Sequence, residues 1–191
     1  MFARLFAAFL AVFTKKPNTV AAPLPTYTPT PEPVKRPTGK GAAIGGVAGA
    51  ATIAAIVAFI GPWEGRRYTA YQDIVGVWTI CEGHTKGVKA GDVATDAQCD
   101  EMAAQDVAEH NAGIRACITR PMPQNVEIAF TSLAFNAGVG AFCGSTALKR
   151  YNAGDDTGAC DALNMWVRAG GKVVKGLVNR RAAESALCKK D

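Results

Sequence analysis

Over residues 1–13 the apolar side chains Phe2, Leu5, Phe6, Phe9, Leu10 and Phe13 return at helical spacing. A helix of that length reaches about 20 Å, short of a ~30 Å hydrocarbon layer. The pattern therefore predicts a membrane-surface helix or a signal-peptide-like core over residues 1–16 rather than a span. Lys15, Lys16 and Pro17 follow where a cleavage site needs small residues. The rhythm disappears over residues 17–40, where PLPTYTPTPEPVKRPT holds most of the chain's ten prolines. Such a stretch is extended and packs no core, which makes it a linker. Residues 41–61, GAAIGGVAGAATIAAIVAFIG, are 21 uncharged positions. As a helix they reach about 31 Å, just enough to span.

Thirteen of those 21 residues are Gly or Ala. The strongly inserting side chains are confined to Ile44, Val47, Ile53, Ile56, Val57, Phe59 and Ile60. Ala42, Gly46, Ala50, Ala54 and Ala58 fall every four residues, as do Gly41, Gly45 and Gly49, a spacing that lets helices approach closely. Two readings follow. One is a permanent anchor with a helix-pairing face. The other is a segment just apolar enough to enter a bilayer and polar enough to leave it.

Residues 62–191 carry the pattern of a folded domain. Ile74, Val75, Val77, Trp78 and Ile80, punctuated by Gly76 and Gly83, predict a short strand or hairpin. Thr95-Asp96 opens a capped helix over 95–112, with acids in its first turns. A second helix is expected over 124–137, with Val126, Ile128, Ala129, Leu133 and Ala134 on its apolar side and Gly138 near its end. Residues 145–152, 155–166 and 177–188 give three more. Strand signals are few and early, so the class is α+β, a small β-hairpin lobe beside a larger helical lobe.

Charge narrows the function classes. The net +5 resides in the first 40 residues, where Arg4, Lys15, Lys16, Lys35, Arg36 and Lys40 face only Glu32. Residues 64–191 hold 15 basic and 15 acidic side chains, so the domain has no electrostatic footprint for nucleic acid. A basic arm before an apolar run is the pattern that keeps the arm cytoplasmic. All six cysteines (Cys81, Cys99, Cys117, Cys143, Cys160 and Cys188) follow that run, which suits disulfides in an oxidising compartment better than buried thiols. No CxxC occurs and only His84 and His110 are present, so no metal site and no cofactor are expected.

Two carboxylates, Glu64 and Asp73, and the hydroxyl of Thr79 stand close in sequence. Glycosidic cleavage needs one carboxyl that protonates the leaving oxygen and a second, ionised, that activates water or stabilises the cationic transition state. A threonine hydroxyl can hold that water by donating and accepting. With 16 acids in the chain, this spacing by itself is equally that of surface charge. His84, next to a turn, reads as a hydrogen-bonded structural residue. Trp63 and Trp78 could stack on sugar, but aromatics in such positions are more often core, as expected for Trp166.

The run E-x8-D-x5-T formed by Glu64, Asp73 and Thr79 resembles the catalytic pattern of phage-type lysozymes. GVWTICEGHT (76–85), SLAFNAGVGAFCGSTALKRYNAGD (132–155) and GACDALNMWVRAGGKVVKGLVNRRAAESALC (158–188) are similar to that family's segments, so the likeness covers about residues 63–190. The basic arm and Gly/Ala-rich run resemble its signal-arrest-release endolysins. The resemblance implies a lysozyme-like fold and hydrolysis of the β-1,4 bond between N-acetylmuramic acid and N-acetylglucosamine in peptidoglycan. Glu64 would be the general acid, with Asp73 and Thr79 on the water. Asn136, in the F-N-x-G pattern, would face the sugar cleft, and Arg180 would lie near the acid. Asn136 is equally readable as a helix brace and Arg180 as half of a surface pair with Arg181.

The resemblance also implies the pairs Cys81–Cys99, Cys117–Cys143 and Cys160–Cys188. It further implies export by the host secretion machinery, an inner-membrane form with a periplasmic domain, and a monomer released to the periplasm that lyses the host. Some relatives carry a cysteine inside the membrane segment; residues 41–61 have none, which favours control by tethering over a thiol switch. Two rival functions stand beside this one: a holin-like pore former pairing through the small-residue face, and an anchored cell-wall binding module. A soluble, active remainder after deletion of residues 1–61 is the outcome expected of the enzyme and excluded for a pore.

Overall fold

Gly49, in extended conformation, opens the first helix, α1 (Ala50–Glu64). Its buried positions are Ile56 and Ile60, with Ile53 and Val57 partly buried beside them, so the branched side chains form one stripe at helical spacing. Ala50, Ala54 and Ala58 lie on the opposite, exposed side. The computed structural model describes residues 48–73 and 75–190. The segments expected over 1–16 and 17–40, residues 41–47 of the apolar run, and Ile74 lie outside the described residues. Among those described, no helix is long and apolar enough to cross a membrane. The helix runs unbroken past residues 61 and 62. Deleting residues 1–61 therefore removes Ile56 and Ile60 from the core, and a soluble active remainder is not the expected product of that cut.

After α1 the chain forms an antiparallel hairpin, β1 (Arg67–Gln72) and β2 (Trp78–Cys81), in which Tyr71 faces Thr79 and Gln72 faces Trp78. β1 escapes the sequence pattern because its residues RYTAYQ are exposed or half-exposed along their length, with no alternating buried face to read. This lobe has its own small core of Ile80, Cys81, Val88, Ala94, Cys99 and Met102.

The long helix α2 (Asp96–Arg115) leads into the helical lobe. It starts in a capping box, in which the Thr95 hydroxyl accepts from Gln98 N–H and the Gln98 side chain accepts from Thr95 N–H. α3 (Gln124–Ala137), α4 (Val139–Cys143), α5 (Thr146–Asn152) and α6 (Asp156–Ala162) follow, and a 3-10 turn takes up Leu163–Met165, where one continuous helix was expected. A tight hairpin, β3 (Arg168–Ala169) and β4 (Lys172–Val173), turns through Gly170 and Gly171, both at positive φ, the geometry that two-residue hairpins favour. α7 (Lys175–Cys188) closes the chain.

α3 is the axis of the lobe. Its buried residues run from Val126 to Ala134, and it packs against α1, α2, α4 and α7. Phe130, Leu133, Phe142, Tyr151 and Leu163 dominate the main core, which contains no residue earlier than Ile114. α1 makes a separate cluster, in which Ile56 and Ile60 meet Val107 of α2 and Ile128 of α3. Three disulfides, Cys81–Cys99, Cys117–Cys143 and Cys160–Cys188, staple the chain after α1.

Candidate active site

Glu64 is the last residue of α1, and two features hold it there. Gly65 follows at φ 71°, ψ 154°, a conformation that side chains other than hydrogen strongly disfavour, so the helix stops and the chain swings into β1. Arg66 then grips three carboxylates: Glu82 at 2.5 Å, Asp96 at 2.8 Å and Asp100 at 2.6 Å. Those partners raise the already basic guanidinium further. The junction after Glu64 is thereby tied to the β lobe and to the first turns of α2.

The carboxylate of Glu64 is half-buried and its Oε1 accepts from Arg180 Nη1 at 2.5 Å. Arg180 is almost wholly buried in α7. Arg180 is thus not a surface charge, and it pairs with Glu64.

Asp73 and Thr79 meet at one backbone unit. Asp73 N–H and Thr79 Oγ1 both donate to the carbonyl of Val77, at 2.9 Å and 3.1 Å. Asp73 Oδ1 accepts in turn from Val75 N–H at 2.9 Å and Val77 N–H at 2.8 Å, which fixes the turn of the hairpin. Its Oδ2 takes no hydrogen bond among the described residues. Thr79 is buried, facing Tyr71 across the hairpin.

Asn136 is exposed in the last turn of α3 and makes no side-chain hydrogen bond among the described residues, so it braces nothing there. His84 is buried, with Nδ1 at 2.8 Å from Asp106 Oδ2 and Nε2 at 3.1 Å from the Lys86 carbonyl. Nδ1 joins the β lobe to α2 and Nε2 fastens the loop to itself, the structural role expected of this histidine. Trp166 packs against the main core and Trp78 against the β-lobe core, while Trp63 is exposed on α1. A cavity between α1, α2 and α3 is lined by Val57, Ile60, Gly61, Val107 and Phe135, with Arg66 and Glu82 on its polar side. Glu64, Asp73 and Thr79 are not among its lining residues.

Sequence reasoning missed what stands behind Arg180. Glu184 is fully buried one turn on, and its Oε1 accepts from Ser132 Oγ at 2.6 Å, Arg180 Nε at 3.2 Å and Arg181 Nη2 at 2.9 Å. Burial pushes the Glu184 carboxyl up from its usual range, and Arg181 with the Ser132 hydroxyl pulls it back. Burial likewise lowers Arg181, against the pull of Glu184. In the sequence these residues read RRAAE, indistinguishable from surface pairs on an exposed helix.

A small β-hairpin lobe beside a larger helical lobe is the α+β fold of the lysozymes, hydrolases of glycosidic bonds. The chain belongs to the phage lysozyme family, whose model matches residues 61–184. A SAR-endolysin of Enterobacteria phage P21 is 42% identical over 153 residues, covering 77% of this chain and 91% of its own. The SAR-endolysin of Pseudomonas phage phiKMV is 46% identical over 141 residues, covering 71% and 87%. Among solved structures, the muramidase domain of SpmX from Asticaccaulis excentricus aligns with a TM-score of 0.68 at 32% identity, over 72% of this chain and 96% of that one. A P22 lysozyme variant aligns with a TM-score of 0.65 at 33% identity, over 71% and 96%.

Proposed function

We propose that this chain is an endolysin that cleaves the β-1,4 bond between N-acetylmuramic acid and N-acetylglucosamine in peptidoglycan and is silent until it leaves the membrane. Glu64 protonates the glycosidic oxygen. Asp73 uses Oδ1 to hold its turn, which leaves Oδ2 for water or for the cationic sugar, and Thr79 helps to orient that water. Asn136, exposed in the last turn of α3, supplies an amide to the sugar.

The observation that carries the reading is the double use of one stretch of chain. Ile53, Ile56, Val57 and Ile60, four of the seven inserting residues of the apolar run, are residues that seat α1 on α2 and α3. Glu64 is one turn beyond Ile60. While residues 41–61 lie in lipid those side chains are unavailable to the core, and the helix that ends in Glu64 is not in its place. Leaving the bilayer exchanges lipid for protein around the same side chains, and the acid arrives with them. The basic arm, the run and the periplasmic cysteines support export by the secretion machinery with the arm held inside until release.

Glu64→Gln tests the chemistry. The variant is expected to be exported and folded, yet to release no new reducing ends from purified peptidoglycan; retained hydrolysis would overturn the assignment. A pore former predicts membrane leakage without hydrolysis, and a binding module predicts sedimentation with peptidoglycan without hydrolysis.

A further inference from the structure

Arg180 meets Glu64 through Nη1 only. Its Nε donates to Glu184 Oε1 at 3.2 Å and its Nη2 to the Ser132 carbonyl at 3.2 Å, so the guanidinium is held on three sides. A general acid must carry a proton when it acts, and protonated Glu64 no longer balances Arg180. Arg180 would then be a buried cation whose pair had gone, a costly state unless another anion stands by. Glu184 is that anion, and it serves Arg181 as well. Three donors converge on its Oε1, two of them guanidinium groups, and this favours the carboxylate form. The charged groups around it are Arg180 and Arg181 from α7 and, across Arg180, Glu64 from α1. Ser132 is the neighbour from α3.

We propose that Glu184 is a positioning residue that holds Arg180 and balances its charge while Glu64 is protonated. The proposal rests on Glu64 as the general acid. It predicts opposite effects for two changes in one buried cluster. In Glu184→Gln both guanidinium charges act on Glu64, its ionised form gains, and the alkaline limb of the kcat/KM profile moves to lower pH. In Arg181→Met one cation is lost, and the same limb moves to higher pH. Each displacement is on the order of one pH unit.

The experiment measures kcat/KM for peptidoglycan hydrolysis against pH on the released full-length protein and on both variants, with far-UV circular dichroism as a check of folding. Opposite shifts support the proposal, because mere loosening of the core does not change sign with the charge removed. Limbs that stay in place, or that move together, overturn it. If Glu184→Gln does not fold, Arg181→Met decides: an upward shift supports the proposal and an unmoved limb overturns it. Glu64→Gln is run alongside. Hydrolysis retained there sinks the acid assignment itself, whereas its loss with unmoved limbs sinks only the role of Glu184.

Discussion

Ile56 is completely buried where α1 meets α2 and α3, and its side chain fills space shared with Ile60, Val107 and Ile128. Ile56→Ala leaves a hole there and is expected to cost about 2–5 kcal/mol, read as a lower denaturant midpoint at unchanged slope. A change at exposed Ala54, half a turn away, is expected to stay within about 0.5 kcal/mol. An equal response at both positions would mean that α1 is not seated by this stripe. At this scale the sequence was uneven in what it disclosed. Glu64, Asp73 and Thr79 were visible as residue types at a spacing, and the resemblance singled out the first two from 16 acids. Glu184 and Ser132 were not, because their meaning lies in a contact between α3 and α7 that no local pattern announces. Arg66 was hidden for the same reason: its three carboxylates come from two distant segments.

At the scale of elements, the release proposed above asks α1 to satisfy two surroundings with one sequence. Its branched face needs lipid or protein, and its alanine face, Ala50, Ala54 and Ala58, is small enough to meet water without a large apolar patch. In the proposed release, that balance is the use of the Gly/Ala excess. Replacing Gly45, Gly46 and Gly49 by Leu upsets it, since each leucine adds about 0.3–0.6 kcal/mol in favour of insertion. The expected result is more protein in the membrane fraction and a later onset of lysis; unchanged partition would count against release. An added Cβ at Gly49 meets no neighbour, so that position does not itself disturb the fold. α2, α5 and α6 were legible from their capping residues, α3 occupies the residues expected of it, and the short α4 was not foreseen. The two hairpins were harder. β1 has no buried face, and β3 and β4 are two residues each, too short to carry a period.

For the whole molecule, the staples and the main core lie on one side of a division. The three disulfides close separations of 18, 26 and 28 residues, worth roughly 3–4 kcal/mol each if all of the effect is chain entropy. None of them reaches α1, which has no cysteine, stands at the head of the described chain and enters the fold through its own small cluster. On gradual heating, hydrolysis is expected to fail at a lower temperature than the helical circular dichroism signal, with early protease cutting on the amino-terminal side of Gly65. Coincident transitions would show that α1 unfolds only with the rest. The division has a practical corollary. A preparation whose spectrum, disulfides and hydrodynamic size are all intact can still contain molecules with α1 undocked, each a sound scaffold with Glu64 out of its place. Protein concentration and active-site concentration are then different quantities for this enzyme, and specific activity reports the docking of one helix as much as the chemistry it completes.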